Sequence, residues 1–391
     1  MITRRRRLAI VVSHPIQYYV PLYRKLATRE DLDVKVFFTW HAATGPQRDY
    51  GFEREFKWDI PLTEGYDHEL VPNVSHEPGT HRFFGLRNPQ LYKRVLEWEP
   101  DVVHITGYAY ASHLYALWKF HRAGIPVLFR GDSHLLDRQS PWRWQLKKAL
   151  LRRVYSWTTA CLYVGQNNFE YYRRLGVPED KLFCCPHSIE VARFSEPNEE
   201  LEAEAKRWRT ELGIPDSVRV IVYAGKFEPK KQPLQLMNVI KAMNDDNVVL
   251  VMIGNGPLEE EIFAMARRNP NRFRVLPFQN QTKMPVAYRL GEIVTLPSSY
   301  GETWGLAMNE ALACGRRVLV SDKVGGAPDV VKSAEAGQVF RADDWDDFES
   351  KLRELLTQRS DPAELRRRAK AFDIPATETA LVAALEKTLK R

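Results

Sequence analysis

Cysteine is scarce in this chain: four residues, at 161, 184, 185 and 314, with no Cys-x-x-Cys spacing. That argues against a disulfide framework and a zinc ribbon, and fits reduced thiols in a cytoplasmic protein. Long apolar runs are also lacking. Nothing approaches the roughly 20 residues needed to span a bilayer, so any membrane role is peripheral. Residues 1–7 mimic the basic start of a secretion signal, but the apolar run at 8–12 is short and is broken by Ser13 and His14. No short repeat or low-complexity tract is present. Basic residues are scattered rather than gathered in a stripe interleaved with aromatics, which disfavours nucleic acid as a partner.

What is there describes an ordinary globular chain. At 391 residues, with 44% hydrophobic and 27% charged residues, it is too long for one core, so two domains are expected. A net charge of +7 is modest and suits an anionic substrate or surface. Apolar strand-like runs at 8–12, 34–38, 100–105, 125–129 and 161–164 alternate with helical patterns at 19–28, 89–98, 112–123 and 141–155. A second alternation has strands at 218–223, 248–253, 274–276, 294–296 and 317–320, with helices at 233–243, 258–268 and 306–314. Residues 40–90 read as long loops facing a ligand or partner. Residues 196–209 are highly charged and read as a loop or an exposed helix. The fold class expected is α/β: two doubly wound, Rossmann-like domains at 1–195 and 216–370, joined by a linker at 196–215. A C-terminal helix at 371–391 is expected to pack back on the first domain. Loops beyond the carboxyl ends of the strands should line a cleft between the domains.

The stretch 300–331 concentrates chemistry. Glu302 sits in a loop bracketed by Gly301 and Gly305, and Glu310 lies eight residues on in a helix that Gly315 stops. A strand and a second glycine loop, Gly325-Gly326, follow. Free backbone N–H groups and a helix N-terminus suit an anionic phosphate. Carboxylates beside them suit hydroxyls, as on a sugar or ribose. Together they point to a nucleotide-sugar site.

With its surroundings, Gly305-Leu306, Asn309-Glu310-Ala311 and Gly325-Gly326, the segment resembles the E-x7-E motif of family 4 retaining glycosyltransferases of the GT-B fold. The loop from Gly225 through Lys226 to Lys231 resembles that family's G-R-x4-K turn, with lysine in the arginine position. Residues 253–257, with Gly254 and Gly256, resemble its G-x-G-P loop. The segment Pro186-His187-Ser188-Ile189-Glu190 resembles the element closing its first domain, with Glu190 where Asp is usual. The resemblance implies transfer of a sugar from a nucleoside diphosphate donor to an acceptor hydroxyl, with retention. It implies that Lys226 and Lys231 neutralise the diphosphate, Glu302 meets the transferred sugar and Glu310 holds the ribose. Thr303 and the backbone of Trp304, Gly305 and Leu306, with Gly225 and Gly254, serve the donor, and Phe278 frames the base. No cofactor and no metal are implied.

The first domain departs from the pattern. Residues 13–18, with His14 and Tyr18, stand where relatives carry a glycine-rich loop. Asp132 occupies the position of an expected His, and His134 lies two further on; either faces the acceptor, and Arg130 is a possible ion-pair partner of Asp132. The acceptor class expected is a glycan or a lipid-linked glycan of cell-surface polysaccharide or glycolipid synthesis. On residues 141–158, Leu146, Ala149, Leu150, Val154 and Trp157 form one helical face among four cations. That face is either a patch for anionic lipid or an ordinary core-facing helix. A catalytically silent nucleotide-sugar-binding protein, or an epimerase or phosphorylase of the same fold, stands as the alternative.

Overall fold

The computed structural model describes residues 4–40, 47–48, 55–56, 58–137 and 140–390. Of the loops expected over 40–90, residues 41–46, 49–54 and 57 lie outside the described residues. The chain divides into two compact units, one of residues 1–47, 61–188 and 374–391, the other of residues 48–60 and 189–373.

The first unit begins β1 (Arg6–Val12), α1 (Val20–Ala27) and β2 (Leu32–Phe38). Next in the chain is a two-residue pair, β3 (Gln47–Arg48) and β4 (Glu55–Phe56), of which Arg48 and β4 belong to the second unit; the first unit resumes with β5 (Asp67–Leu70) and α2 (Leu91–Glu97). Next come β6 (Val102–Thr106), α3 (Ala111–Arg122), β7 (Val127–Arg130), α4 (Pro141–Ser156), β8 (Ala160–Tyr163), α5 (Gln166–Arg174) and β9 (Leu182–Cys184). Seven strands form a parallel sheet in the order β5-β2-β1-β6-β7-β8-β9. Its central strands are apolar because helices cover both faces. Leu91 and Val95 of α2, Phe120 of α3, Leu151 and Tyr155 of α4 and Tyr172 of α5 pack in one core cluster.

The second unit holds α6 (Val191–Ser195), α7 (Asn198–Glu211), β10 (Arg219–Ala224), α8 (Pro233–Ala242), β11 (Val248–Ile253), α9 (Glu259–Arg268) and β12 (Phe273–Leu276). It continues with α10 (Met284–Arg289), β13 (Ile293–Leu296), α11 (Leu306–Ala313), β14 (Arg317–Ser321), α12 (Ala327–Val330), β15 (Gly337–Phe340), α13 (Trp345–Thr357) and α14 (Pro362–Ala369). Its six parallel strands run β12-β11-β10-β13-β14-β15. The charged stretch at 196–209 is helix α7, and it packs on α10. The last helix, α15 (Ile374–Leu389), belongs to the first unit, where it packs on α1, β8 and β9. Arg29 pairs with Glu378 at 3.1 Å, and the Thr377 hydroxyl donates to the Pro186 carbonyl at 3.1 Å.

Two sequence expectations change here. The Asp-His-Glu-Leu run of β5 is an edge strand inside the region read as loops; it is polar because only one neighbour covers it. The apolar face proposed for 141–158 splits. Val154 is buried with Leu151 and Tyr155, whereas Leu146 and Leu150 are 65% and 61% exposed. Leu151 lies about 140° round the helix from Leu146, so one cannot face the core without turning the other out.

Candidate functional site

In the second unit the carboxyl ends of β10, β11, β13 and β14 carry the loops singled out in the sequence. Backbone hydrogen bonds stitch these loops together. Gly225 N–H donates to Ile253 O at 3.0 Å, Phe227 N–H to Asn255 O at 2.8 Å, and Ser299 N–H to Lys230 O at 2.9 Å. A Cβ on Gly254, whose φ is +152°, would stand 2.0 Å from the Gly225 carbonyl, so this close crossing requires glycine. The loops enclose a cavity of about 130 Å³ lined by Gly225, Lys231, Ser298, Glu302, Gly305 and Leu306.

Glu302 does not cap α11. The cap position is Gly305, at φ +89°. The Glu302 carboxylate instead accepts from the Lys231 ammonium and, at 3.4 Å, from the Ser298 hydroxyl. The side chains of Lys231 and Glu302 are 22% and 15% exposed, so solvent screens their pairing only in part. Lys226 is half-buried on the same loop, with its carbonyl accepting the Tyr223 hydroxyl at 2.7 Å. Thr303 is exposed at the turn. Trp304 turns inward: its side chain is buried, donates to Asn309 Oδ1 at 3.1 Å and meets Phe372 edge-on. Among the described residues no group of three or more His, Cys, Asp or Glu is arranged to hold a metal ion.

Glu310 lies one turn and more along α11, partly buried, and accepts the Tyr288 hydroxyl at 2.6 Å. Burial pushes its carboxyl up to about 7, against the opposing pull of the Tyr288 hydrogen bond and the Arg193 charge. Tyr288 comes from α10, whose entry loop carries Phe278. Trp58 meets Phe278 edge-to-face at 6.3 Å, and the Asp59 carboxylate accepts Thr282 N–H at 3.0 Å. Trp58, Asp59 and Tyr288 were not singled out in the sequence. Tyr288 falls outside the motifs quoted there, and Trp58 lies 220 residues from Phe278.

In the first unit the loops after β1, β7 and β9 hold the remaining candidates. The His14 ring shares a hydrogen bond with Ser13 Oγ at 2.9 Å and stands edge-on to Trp40. Arg130 is buried and does not turn to Asp132. It donates to Cys185 O at 2.9 Å and Pro186 O at 3.2 Å, and lies over the Tyr19 ring. Asp132 is 45% exposed, 4.0 Å from Nε2 of His187. Burial, and then the Arg130 charge, hold His187 well below the ordinary histidine range, so it is neutral. His134 is buried, and its Nδ1 accepts Leu136 N–H at 3.2 Å. All four cysteines are free thiols, and only Cys184 is exposed.

Residues 204–372 match the family model described as glycosyl transferases group 1, and residues 66–186 match a glycosyl transferase 4-like domain. D-inositol 3-phosphate glycosyltransferase of Mycolicibacterium vanbaalenii is 28% identical over 46% of this chain and 41% of its own length. The enzyme of the same name from Mycobacteroides abscessus is 31% identical over 39% and 35%. The chain thus spans about two fifths of the length of the curated relatives it matches. Among solved structures, Anabaena Alr3699/HepE in complex with UDP and glucose superposes with a TM-score of 0.69 at 16% identity, covering 98% of this chain and 100% of that one. A glycosyltransferase from Rickettsia africae gives 0.72 at 13% identity, covering 99% of each. At these identities the likeness establishes the fold, which is GT-B.

Proposed function

Since the chain belongs to the group 1 glycosyltransferases, we propose that it moves a sugar from a nucleoside diphosphate donor to an acceptor hydroxyl, with retention at the anomeric carbon. The observation that carries this reading is the convergence of Lys231, Glu302 and the Gly305 end of α11 on one cavity. The donor diphosphate lies against the Lys226 and Lys231 side chains and the backbone that opens α11, a set of fixed positive groups for a leaving group that gains charge. Glu302 holds hydroxyls of the transferred sugar and keeps the Lys231 ammonium oriented. Glu310 takes the ribose hydroxyls, and Phe278, with Trp58 beside it, frames the base. As the anomeric carbon–phosphate oxygen bond breaks, the acceptor oxygen bonds the same face. The acceptor proton passes to the leaving phosphate. No metal is assigned a step. Asp132 and His134 are assigned to the acceptor.

The acceptor class we propose is a growing cell-surface polysaccharide or glycolipid, with the protein held peripherally at the inner face of a membrane. The test is a panel of UDP-, GDP- and ADP-sugars with wild type, Glu302→Ala and Lys231→Ala. A donor that binds and is consumed by wild type, and by neither variant at a comparable rate, supports transfer. Binding without turnover on any acceptor tried supports the silent-binder alternative, and no binding at all overturns both.

A further inference from the structure

Helix α4 has charge and exposure that neither its own stability nor the core of its unit explains. Its sixteen residues carry five cations, Arg143, Lys147, Lys148, Arg152 and Arg153, and no acid. That is five of the chain's net seven positive charges. Among the described residues none of the five pairs with a carboxylate; their contacts are the Leu175 carbonyl, for Arg152, and aromatic rings. Arg143, Lys147 and Lys148 sit in the N-terminal half, where the helix dipole disfavours cations. The buried residues of the helix, Leu151, Val154 and Tyr155, all lie in its last six positions. Ahead of them Trp142, Leu146 and Leu150 are 63%, 65% and 61% exposed. Their spacing at i, i+4 and i+8 puts them on one stripe. An apolar stripe ending in a tryptophan, set among unpaired cations on a helix about 24 Å long, has the amphipathic pattern of an interfacial helix.

We propose that this outer edge of α4 docks on an anionic lipid bilayer, with Trp142, Leu146 and Leu150 entering the headgroup–acyl boundary and the cations meeting lipid phosphates. Charge complementarity selects this occupant. A second copy of the chain would bring the same five positive charges to the contact, and a neutral surface would leave them unmatched. The surface gives the peripheral location proposed above a structural element, and it rests on that location alone, not on the transfer chemistry.

The test is sedimentation of the whole protein with vesicles of phosphatidylcholine alone and with one third phosphatidylglycerol, at low and raised salt. Wild type is expected to bind the anionic vesicles, to lose binding as salt rises, and to leave the neutral ones. Trp142→Ser/Leu146→Ser/Leu150→Ser should weaken binding tenfold or more, and each cation changed to Gln about fivefold. A blue shift of tryptophan emission on binding should be smaller in Trp142→Phe. These side chains are exposed, so the variants should keep the wild-type far-ultraviolet spectrum and donor affinity. Equal binding by the triple variant, equal binding to neutral vesicles, or no binding overturns the proposal. So does self-association, by light scattering, that the triple variant abolishes. Loss of donor binding in wild type would overturn the transfer reading and leave this one standing.

Discussion

The two units share one architecture, a parallel sheet with helices on both faces, yet they build the loops at the carboxyl ends of their strands by different means. In the second unit those loops are backbone against backbone. Gly254 and Gly256 let backbone approach the Gly225 and Phe227 carbonyls to distances at which a Cβ would collide, and the charged pair Lys231–Glu302 belongs to the same loops. In the first unit backbone bonds also join the corresponding loops, Trp40 N–H to Ser13 O and Gly107 N–H to Arg130 O, but there a side-chain cluster is added: buried Arg130, Cys185 and His187, with Tyr19 partly buried against them. A backbone-lined site offers N–H groups to an anion whatever the surrounding side chains are. A side-chain-lined site is specific to the residues that fill it. The difference fits the proposal that the second unit takes the donor diphosphate and the first unit the acceptor.

The comparison breaks first at Lys231. Replacing it by Ala removes the cation proposed to face the leaving group and takes the ammonium away from the partly buried Glu302 carboxylate. Transfer should fall about 10³-fold in kcat/KM, the scale for loss of one preorganised charge-stabilising group. Lys231→Arg should recover part of that. A change under tenfold in steady-state transfer would mean that the backbone alone carries the phosphate.

A glycine pair sharpens the contrast next. Gly107, at the end of β6, has φ +75° and nothing within 4 Å of an added Cβ, whereas Gly254 meets the Gly225 carbonyl. Gly107→Ala should therefore cost about 1 kcal/mol of strain alone. Gly254→Ala should cost about 3 kcal/mol or more, since backbone must shift. Urea unfolding midpoints measure both. Equal costs would show that the second unit's loops yield as easily as those of the first.

Glu310 gives a smaller effect with a definite sign. Its carboxyl stays protonated up to about pH 7 in the fold but ionises near 4.5 in the unfolded chain. The unfolded chain therefore gives up its proton first, and stability falls as pH rises between those values, by about 1–2 kcal/mol once partial solvent access is allowed for. If Glu310 takes the ribose hydroxyls as proposed, the ionised form binds them better, so donor affinity should rise over the upper part of the same range. Glu310→Gln should flatten both trends. Opposite slopes in wild type, absent in the variant, are read by thermal shift and by calorimetry with the nucleoside diphosphate.

What was legible in the sequence follows the same division. The central strands declare themselves as apolar runs because both faces are covered, and the glycine loops do so because no other residue fits. The edge strands β5 and β9 are short, and no residue of either is fully buried, so no run marks them. Local signal singled out Phe278 and Glu310 but not their long-range neighbours. Nothing at Trp58 or Asp59 announces a partner more than 200 residues on, and nothing at Tyr288 announces Glu310. The alternative that Arg130 pairs with Asp132 is settled only by the fold. A nearby Asp132 is the obvious candidate by spacing, but the buried guanidinium turns to the carbonyls that end β9.

The first unit's loops supply the smallest and most discriminating effect, because spacing left Asp132 and His134 level. The structure separates what their loss would do. His134 is buried and its Nδ1 accepts a backbone N–H, so His134→Ala removes that hydrogen bond and a buried ring and should cost about 1–3 kcal/mol of stability. Asp132 is nearly half-exposed, so Asp132→Asn should leave stability within about 0.5 kcal/mol. If Asp132 meets the acceptor, the same change should lower transfer about tenfold with donor affinity unchanged, the scale of one hydrogen bond to a charged group. A fall in transfer confined to His134→Ala, after correction for its folded fraction, would move the acceptor contact to the histidine. Donor binding lost in Asp132→Asn would mean that this loop serves the nucleotide instead, and that the division of labour between the two units is wrong.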